Sequence, residues 1–263
     1  MNHHLAVSAQ RQRRRPILLG LLFTIIMILI GVVAGWMLGR AARQDQPTLP
    51  IIGRAPVYHG FLNQLSQPVN SSAFAGKVRL VTFLFPYCSG YCPLIAKHLA
   101  GVETELKCAG LQNRVQLIAF DLDPGHTGPT QDRVFLKQYG WNPHNLHWQF
   151  LSGSVAQTRH LVRDGYHVYY QQVTESKEDA YAAQEKAAGT YKLQPHELNA
   201  LAERVKPNYD VAHMNSLVLV DPQGRVRWVS LQANRVSGGH LLTLIRSLLP
   251  PAPEKGNEGT GLS

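Results

Sequence analysis

A strand that runs directly into two cysteines, with a helix starting beside the second, restricts this chain to few folds. Val81-Thr82-Phe83-Leu84-Phe85 is apolar and reads as a buried strand; it leads through Pro86-Tyr87 into Cys88-Ser89-Gly90-Tyr91-Cys92-Pro93. Leu94 to Lys107 then has helical spacing, with Pro93 expected at the first helical position. Two thiols at such a junction lie near free backbone N–H groups and the positive end of the helix dipole, both of which favour thiolate. Thiolate attacks disulfides and also binds soft metals, so the junction admits two chemistries.

The rest of the chain alternates strand and helix signals. Val78 to Phe85 reads as the first core strand and Val115 to Phe120 as a second, which ends in Asp121-Leu122-Asp123-Pro124-Gly125. Thr130 to Tyr139 has helical spacing, Phe150-Leu151 closes a short strand, Ser154 caps a helix through Leu161, and Val168-Tyr169-Tyr170 is a short β-rich run. Ser216 to Val220 and Val226 to Leu231 flank the turn Asp221-Pro222-Gln223-Gly224 as a hairpin, and Gly238 to Leu249 is an amphipathic helix. The stretch 174–209 is polar and rich in Ala, Glu and Lys; it reads as a surface insertion, helical in two pieces around Pro195. The order β-α-β-α-(β)-α-β-β-α is that of an α/β, thioredoxin-like fold with a helical insertion before the last strand pair. The domain is expected over 57–250, followed by a disordered tail at 251–263.

Ahead of that domain, Ile17 to Leu38 contains no charged residue. Its length of about 22 residues matches the ~20 that a helix needs to cross a bilayer. Arg11, Arg13, Arg14 and Arg15 precede the run, and Arg40 and Arg43 follow it. Residues 1–16 are therefore expected in the cytoplasm, 17–38 as a single transmembrane anchor and 39–56 as a linker. The rival reading is a cleavable signal peptide, for which the run is long and no small-residue cleavage pattern follows. The same arginines account for much of the net charge of +9. Six of the 26 basic residues precede Asp45, the first acidic one; the remaining 20 face 17 acidic residues, which leaves no nucleic-acid footprint. With its N-terminus inside, the domain is expected on the periplasmic side of a bacterial inner membrane, the mitochondrial inner membrane being the alternative.

Three cysteines are too few for a disulfide-stapled scaffold and suit one functional pair plus a singleton, Cys108, expected as a packed free thiol. Three residues separate Cys88 from Cys92, one more than in a thioredoxin redox motif. That spacing permits a disulfide, and it also lets both sulfurs face one side of a helix start and close on a single ion. Thiolates select Cu(I) or zinc over harder cations, and two sulfurs call for a third ligand. Among the twelve histidines, His213 stands apart, in Val211-Ala212-His213-Met214-Asn215 just before a late strand. In a thioredoxin-like core the loop entering that strand lies beside the cysteines, and position alone leaves His213 a ligand or a packed ring.

Taken together, these residues resemble the Sco/SenC family of membrane-anchored copper proteins, from about Phe74 to Leu249. Phe74-Ala75-Gly76-Lys77-Val78 is similar to that family's lead-in to its first core strand, and Cys88 to Pro93 to its Cys-x-x-x-Cys-Pro signature. Asp123-Pro124 resembles its Asp-Pro turn and Val168-Tyr169-Tyr170 its Val-Tyr-Tyr element, and His213 lies nine residues before Pro222, as the family's ligand histidine does. The resemblance implies that Cys88, Cys92 and His213 bind copper, as Cu(I) or Cu(II), for delivery to the copper-centre subunit of cytochrome c oxidase or to another copper chaperone. In that role the protein is not an enzyme. Asp123 is weighed as a nearby carboxylate or a turn residue, and Met214 as a soft sulfur or a core side chain. The chain departs from the family at Ser89, Thr127, Ala212 and Met214, where proline, aspartate, aspartate and Ser or Thr are usual, and in its longer insertion. The alternative function is a membrane-tethered thiol–disulfide oxidoreductase with Cys88 as attacking and Cys92 as resolving thiol. A peroxiredoxin-type peroxidase shares the fold, but no peroxidatic signature is present.

Overall fold

The computed structural model describes residues 22–37, 47–88, 90–174 and 209–249, together with 184, 187 and 188. The chain divides into two units, Met1–Pro47 and Thr48–Ser263. In the first, residues 22–37 form helix α1, whose side chains are exposed. These 16 residues reach about 24 Å at 1.5 Å per residue, against a hydrocarbon core of ~30 Å. Among the described residues no helix is long and apolar enough to cross a membrane. Residues 17–21 and 38, which complete the expected anchor, lie outside the described residues.

The second unit is built on strands β1 (Gly53–Arg54), β2 (Phe61–Asn63), β3 (Pro68–Val69) and β4 (Val78–Leu84), helix α2 (Tyr91–Cys108) and strand β5 (Val115–Asp121). Helix α3 (Pro129–Gln138), strand β6 (Trp148–Ser152) and helix α4 (Val155–Arg159) follow, with α4 continuing as a π-helical turn over His160–Gly165. Strands β7 (Tyr170–Thr174), β8 (Tyr209–His213), β9 (Leu217–Val220) and β10 (Arg225–Ser230) and helix α5 (Gly238–Leu248) complete it. Eight strands form one sheet in the order β1-β10-β9-β4-β5-β6-β2-β3, while β7 and β8 make a separate two-stranded ribbon. This is the thioredoxin-like arrangement expected from the sequence.

The centre of the sheet positions the site. All seven residues of β4 and all seven of β5 are buried, Arg79, Thr82, Gln116 and Asp121 among them, as in strands covered on both faces. The two strands run parallel, with Leu84 opposite Asp121, so the loops that leave their C-terminal ends stand side by side. One loop carries Cys88 and the other Asp123. The antiparallel partner on the opposite flank, β9, pairs Leu217 with Thr82 and so brings the segment after β8 to the same end.

Several expectations change. Helix α2 starts at Tyr91, two residues before Pro93, with Gly90 as its N-cap, so Cys92 lies within the first turn. Proline is tolerated there because first-turn N–H groups have no intrahelical acceptor. Cys108 is exposed rather than packed. The stretch read as a linker contains β1, which pairs antiparallel with β10, and Arg227 bonds the carbonyls of Leu49 and Pro50. Of Val168-Tyr169-Tyr170, Tyr170 alone belongs to β7. The insertion expected over 174–209 lies outside the described residues apart from 184, 187 and 188 and its ends, where Thr174 closes β7 and Tyr209 opens β8.

Candidate metal centre

Beyond β4 the chain turns back on itself, the Cys88 N–H donating to the Phe85 carbonyl at 3.0 Å. The Gly90 N–H then donates to Cys88 Sγ at 3.2 Å, and the Phe85 N–H to Cys92 Sγ at 3.4 Å. Each sulfur thus receives a backbone donor, which suits the anionic form. Both cysteines are free thiols and both are buried, Cys92 completely.

His213 closes the group. It ends β8, and its Nδ1 lies 3.0 Å from the Met214 carbonyl. A carbonyl only accepts, so Nδ1 carries the proton and Nε2 is left with a lone pair. That Nε2 stands 3.2 Å from Cys92 Sγ. The donor atoms of Cys88, Cys92 and His213 all lie within 4.8 Å of one another, and this is the one such group of His, Cys, Asp or Glu among the described residues.

The electrostatics of these three groups differ from the thiolate state expected of a helix start. Cys88 is pushed well above the usual thiol range, first by its hydrogen bond with Cys92, then by burial and the proximity of Cys92 and Asp210. Burial disfavours a charged His213, but its contacts with Cys88 and the Met214 carbonyl outweigh that and raise its pKa overall. Ion binding therefore has to release protons, as soft-metal sites generally do. Two sulfurs and one imidazole nitrogen converging at a largely buried position suit a soft, low-coordinate ion.

The other candidate residues have different roles. Asp123 is not part of the three-residue group. Its carbonyl accepts from the N–H groups of His126 and Thr127, the expected turn role, while its Oδ2 accepts from the Tyr209 hydroxyl at 2.5 Å. Met214 packs against the core and contributes its carbonyl to His213. Below the Asp-Pro turn lies a buried carboxyl pair. Asp121 accepts from the Asp123 N–H, the Thr127 hydroxyl and the Ser152 hydroxyl, and burial pushes its pKa up to about 6. Ser152 Oγ also lies 2.5 Å from Asp132 Oδ2, and Asp132 Oδ1 has no partner among the described residues. Thr127, where the resembled family has aspartate, thus faces a carboxylate at 121.

Two further residues adjoin the site: Phe85, expected only as the end of a core strand, and Tyr209, for which no role is expected. Tyr209 stacks on the Phe85 ring, centroids 6.2 Å apart. The signal was the alternation Tyr209-x-Val211-x-His213, hidden because Tyr209 closes a long polar stretch.

Comparison with known proteins agrees with the fold. A family model described as SCO1/SenC matches residues 57–190. The SCO1 protein homolog of Bacillus subtilis (strain 168) is 31% identical over 93 residues, 35% of this chain and 46% of that protein. The match therefore spans about half the length of that relative. Among solved structures, BsSco, described as a member of the Sco family of cytochrome c oxidase assembly proteins with a disulfide switch, aligns with a TM-score of 0.52 and 19% identity, over 76% of this chain and 96% of that one. Arabidopsis thaliana ScoI with copper bound aligns with a TM-score of 0.52 and 16% identity, over 73% and 96%. At such identities the structural likeness establishes the fold.

Proposed function

The chain belongs to the SCO1/SenC family, and from that membership we propose that it is a membrane-anchored copper-binding protein that delivers copper during cytochrome c oxidase assembly. The observation that carries this reading is the convergence of Cys88, Cys92 and His213 within 4.8 Å. Copper is the cargo. Both thiols lose their protons as Cu(I) enters, and the two thiolates with His213 Nε2 hold it in a three-coordinate site. Such a site leaves room for an acceptor's thiols to enter and displace the ligands one at a time. The acceptor is the copper-centre subunit of the oxidase or another copper chaperone. The uncharged run 17–38 tethers the domain, and the arginine bias puts it on the periplasmic side.

Titration of the reduced protein with Cu(I) against a competing chelator tests this reading. Wild type is expected to compete, while Cys88→Ser, Cys92→Ser and His213→Ala each lose tight binding. Wild type that fails to compete contradicts it.

A second reading rests on the same sulfurs. The two free thiols sit next to one another, each with a backbone N–H aimed at it, which also suits thiol–disulfide exchange. Cys88, the more accessible, would attack a partner disulfide as thiolate and expel one partner thiolate. Cys92 would then attack the Cys88 sulfur and release the second, so two electrons pass to the partner and a Cys88–Cys92 disulfide remains. His213→Ala separates the readings, since it removes a copper ligand and leaves both thiols.

A further inference from the structure

We propose that the hydrogen bond between Tyr209 and Asp123 is a clasp that sets the position of His213, which makes both of them positioning residues for the ion. This rests on the copper-binding reading and deepens it.

His213 comes from outside the main sheet. It ends β8, which pairs only with β7 among the described strands, in a ribbon separate from the eight-stranded sheet. The ribbon is held near His213 by the Met214 N–H donating to the Tyr169 carbonyl at 3.2 Å and by Arg163, which bonds the Tyr170 carbonyl. Tyr209 begins the same strand. Residues i, i+2 and i+4 of a strand share a face, so Tyr209, Val211 and His213 point the same way. Along that face Val211 is buried, His213 meets Cys92, and Tyr209 meets the two loops at the end of the central strands.

Tyr209 engages both loops. Its ring stacks on Phe85, whose N–H donates to Cys92 Sγ and whose carbonyl accepts from the Cys88 N–H. Its hydroxyl donates to Asp123 Oδ2, while the other Asp123 oxygen lies 3.1 Å from His126 Nδ1. Asp123 is itself fixed, its N–H donating to Asp121 and its carbonyl accepting from the N–H groups of His126 and Thr127. One side chain therefore locks the histidine strand to the loop that carries the cysteines and to its neighbour. Burial and the Asp123 carboxylate push the Tyr209 hydroxyl upward in pKa, so it remains a donor at neutral pH.

The reduced full-length protein, loaded with Cu(II), tests the clasp through its sulfur-to-copper charge-transfer band, its electron paramagnetic resonance spectrum and its affinity against a chelator. Tyr209→Phe and Asp123→Asn should each weaken binding roughly tenfold, the scale at which groups that orient ligands act. Both should change the nitrogen coupling in the spectrum. The double variant should be no worse than either single one, because both delete the same bond. Tyr209→Phe or Asp123→Asn with the wild-type affinity and spectrum overturns the clasp while leaving the copper reading intact. Wild type that takes up no copper overturns both.

Discussion

Nε2 of His213 is available to an ion because Nδ1 is committed to the carbonyl of the next residue, a contact between neighbours in sequence that no spacing rule announces. The buried pair Asp121 and Asp132 is held on similar terms. Ser152 Oγ has one proton and lies within reach of both carboxylates. It donates to Asp121, which has two further donors, so Asp132 keeps its own proton and donates to Ser152. Burial, followed by the charge of Asp121, drives the Asp132 pKa well up. Folded carboxyls with raised pKa values stabilise the fold fully below the unfolded value near 4, and that contribution is lost as pH rises through about 6 for Asp121. Asp132→Asn keeps a donor toward Ser152 and removes one ionisation. Thermal unfolding should show it more stable than wild type at pH 8, by on the order of 1–3 kcal/mol, with the gain shrinking toward pH 4. At this scale Cys88 and Cys92 were legible from their type and spacing, whereas position left His213 a ligand or a packed ring and the family resemblance alone pointed to the ligand. Asp121 and Asp132 were not, because a carboxyl in a strand or helix shows its burial only after the sheet is assembled.

Strand β6 and helix α4 meet at Gly153, against the aromatic core. A Cβ there would stand 2.6 Å from the Phe61 ring, which is 1% exposed and packed edge-on to Tyr58 and Phe120. With the ring enclosed, Gly153→Ala should destabilise the domain by about 1–3 kcal/mol, read from denaturant midpoints. Core elements of this kind were readable from pattern alone. Largely apolar runs marked β4 and β5, and Ser154 marked the start of α4, where its hydroxyl and the Gln157 side chain form a capping box. Strand β8 was not readable, since Asp210 and the polar stretch before it mask a period of two. The helix start was displaced because Pro93, a strong first-position signal, occupies the third position of α2 instead.

In the whole molecule, chemistry gathers where two parallel strands end and a separate ribbon folds over them. The sheet fixes the cysteines to a rigid, fully buried centre, while the histidine arrives on β8 from outside that sheet. The ligand set is therefore split between two sulfurs fixed to the central strands and one nitrogen set by the ribbon and by the bond from Tyr209 to Asp123. This split explains why the sequence pointed to His213 without settling its role: its partners are 121 and 125 positions earlier, and the register of β9 against β4 brings that region to the same end. X-ray absorption of the Cu(I)-loaded protein is the most direct test of the central claim, because it counts the donors around the ion. Two sulfur neighbours and one nitrogen are expected, with the nitrogen lost in His213→Ala. Coordination by sulfur alone, or by nitrogen and oxygen without sulfur, would contradict it.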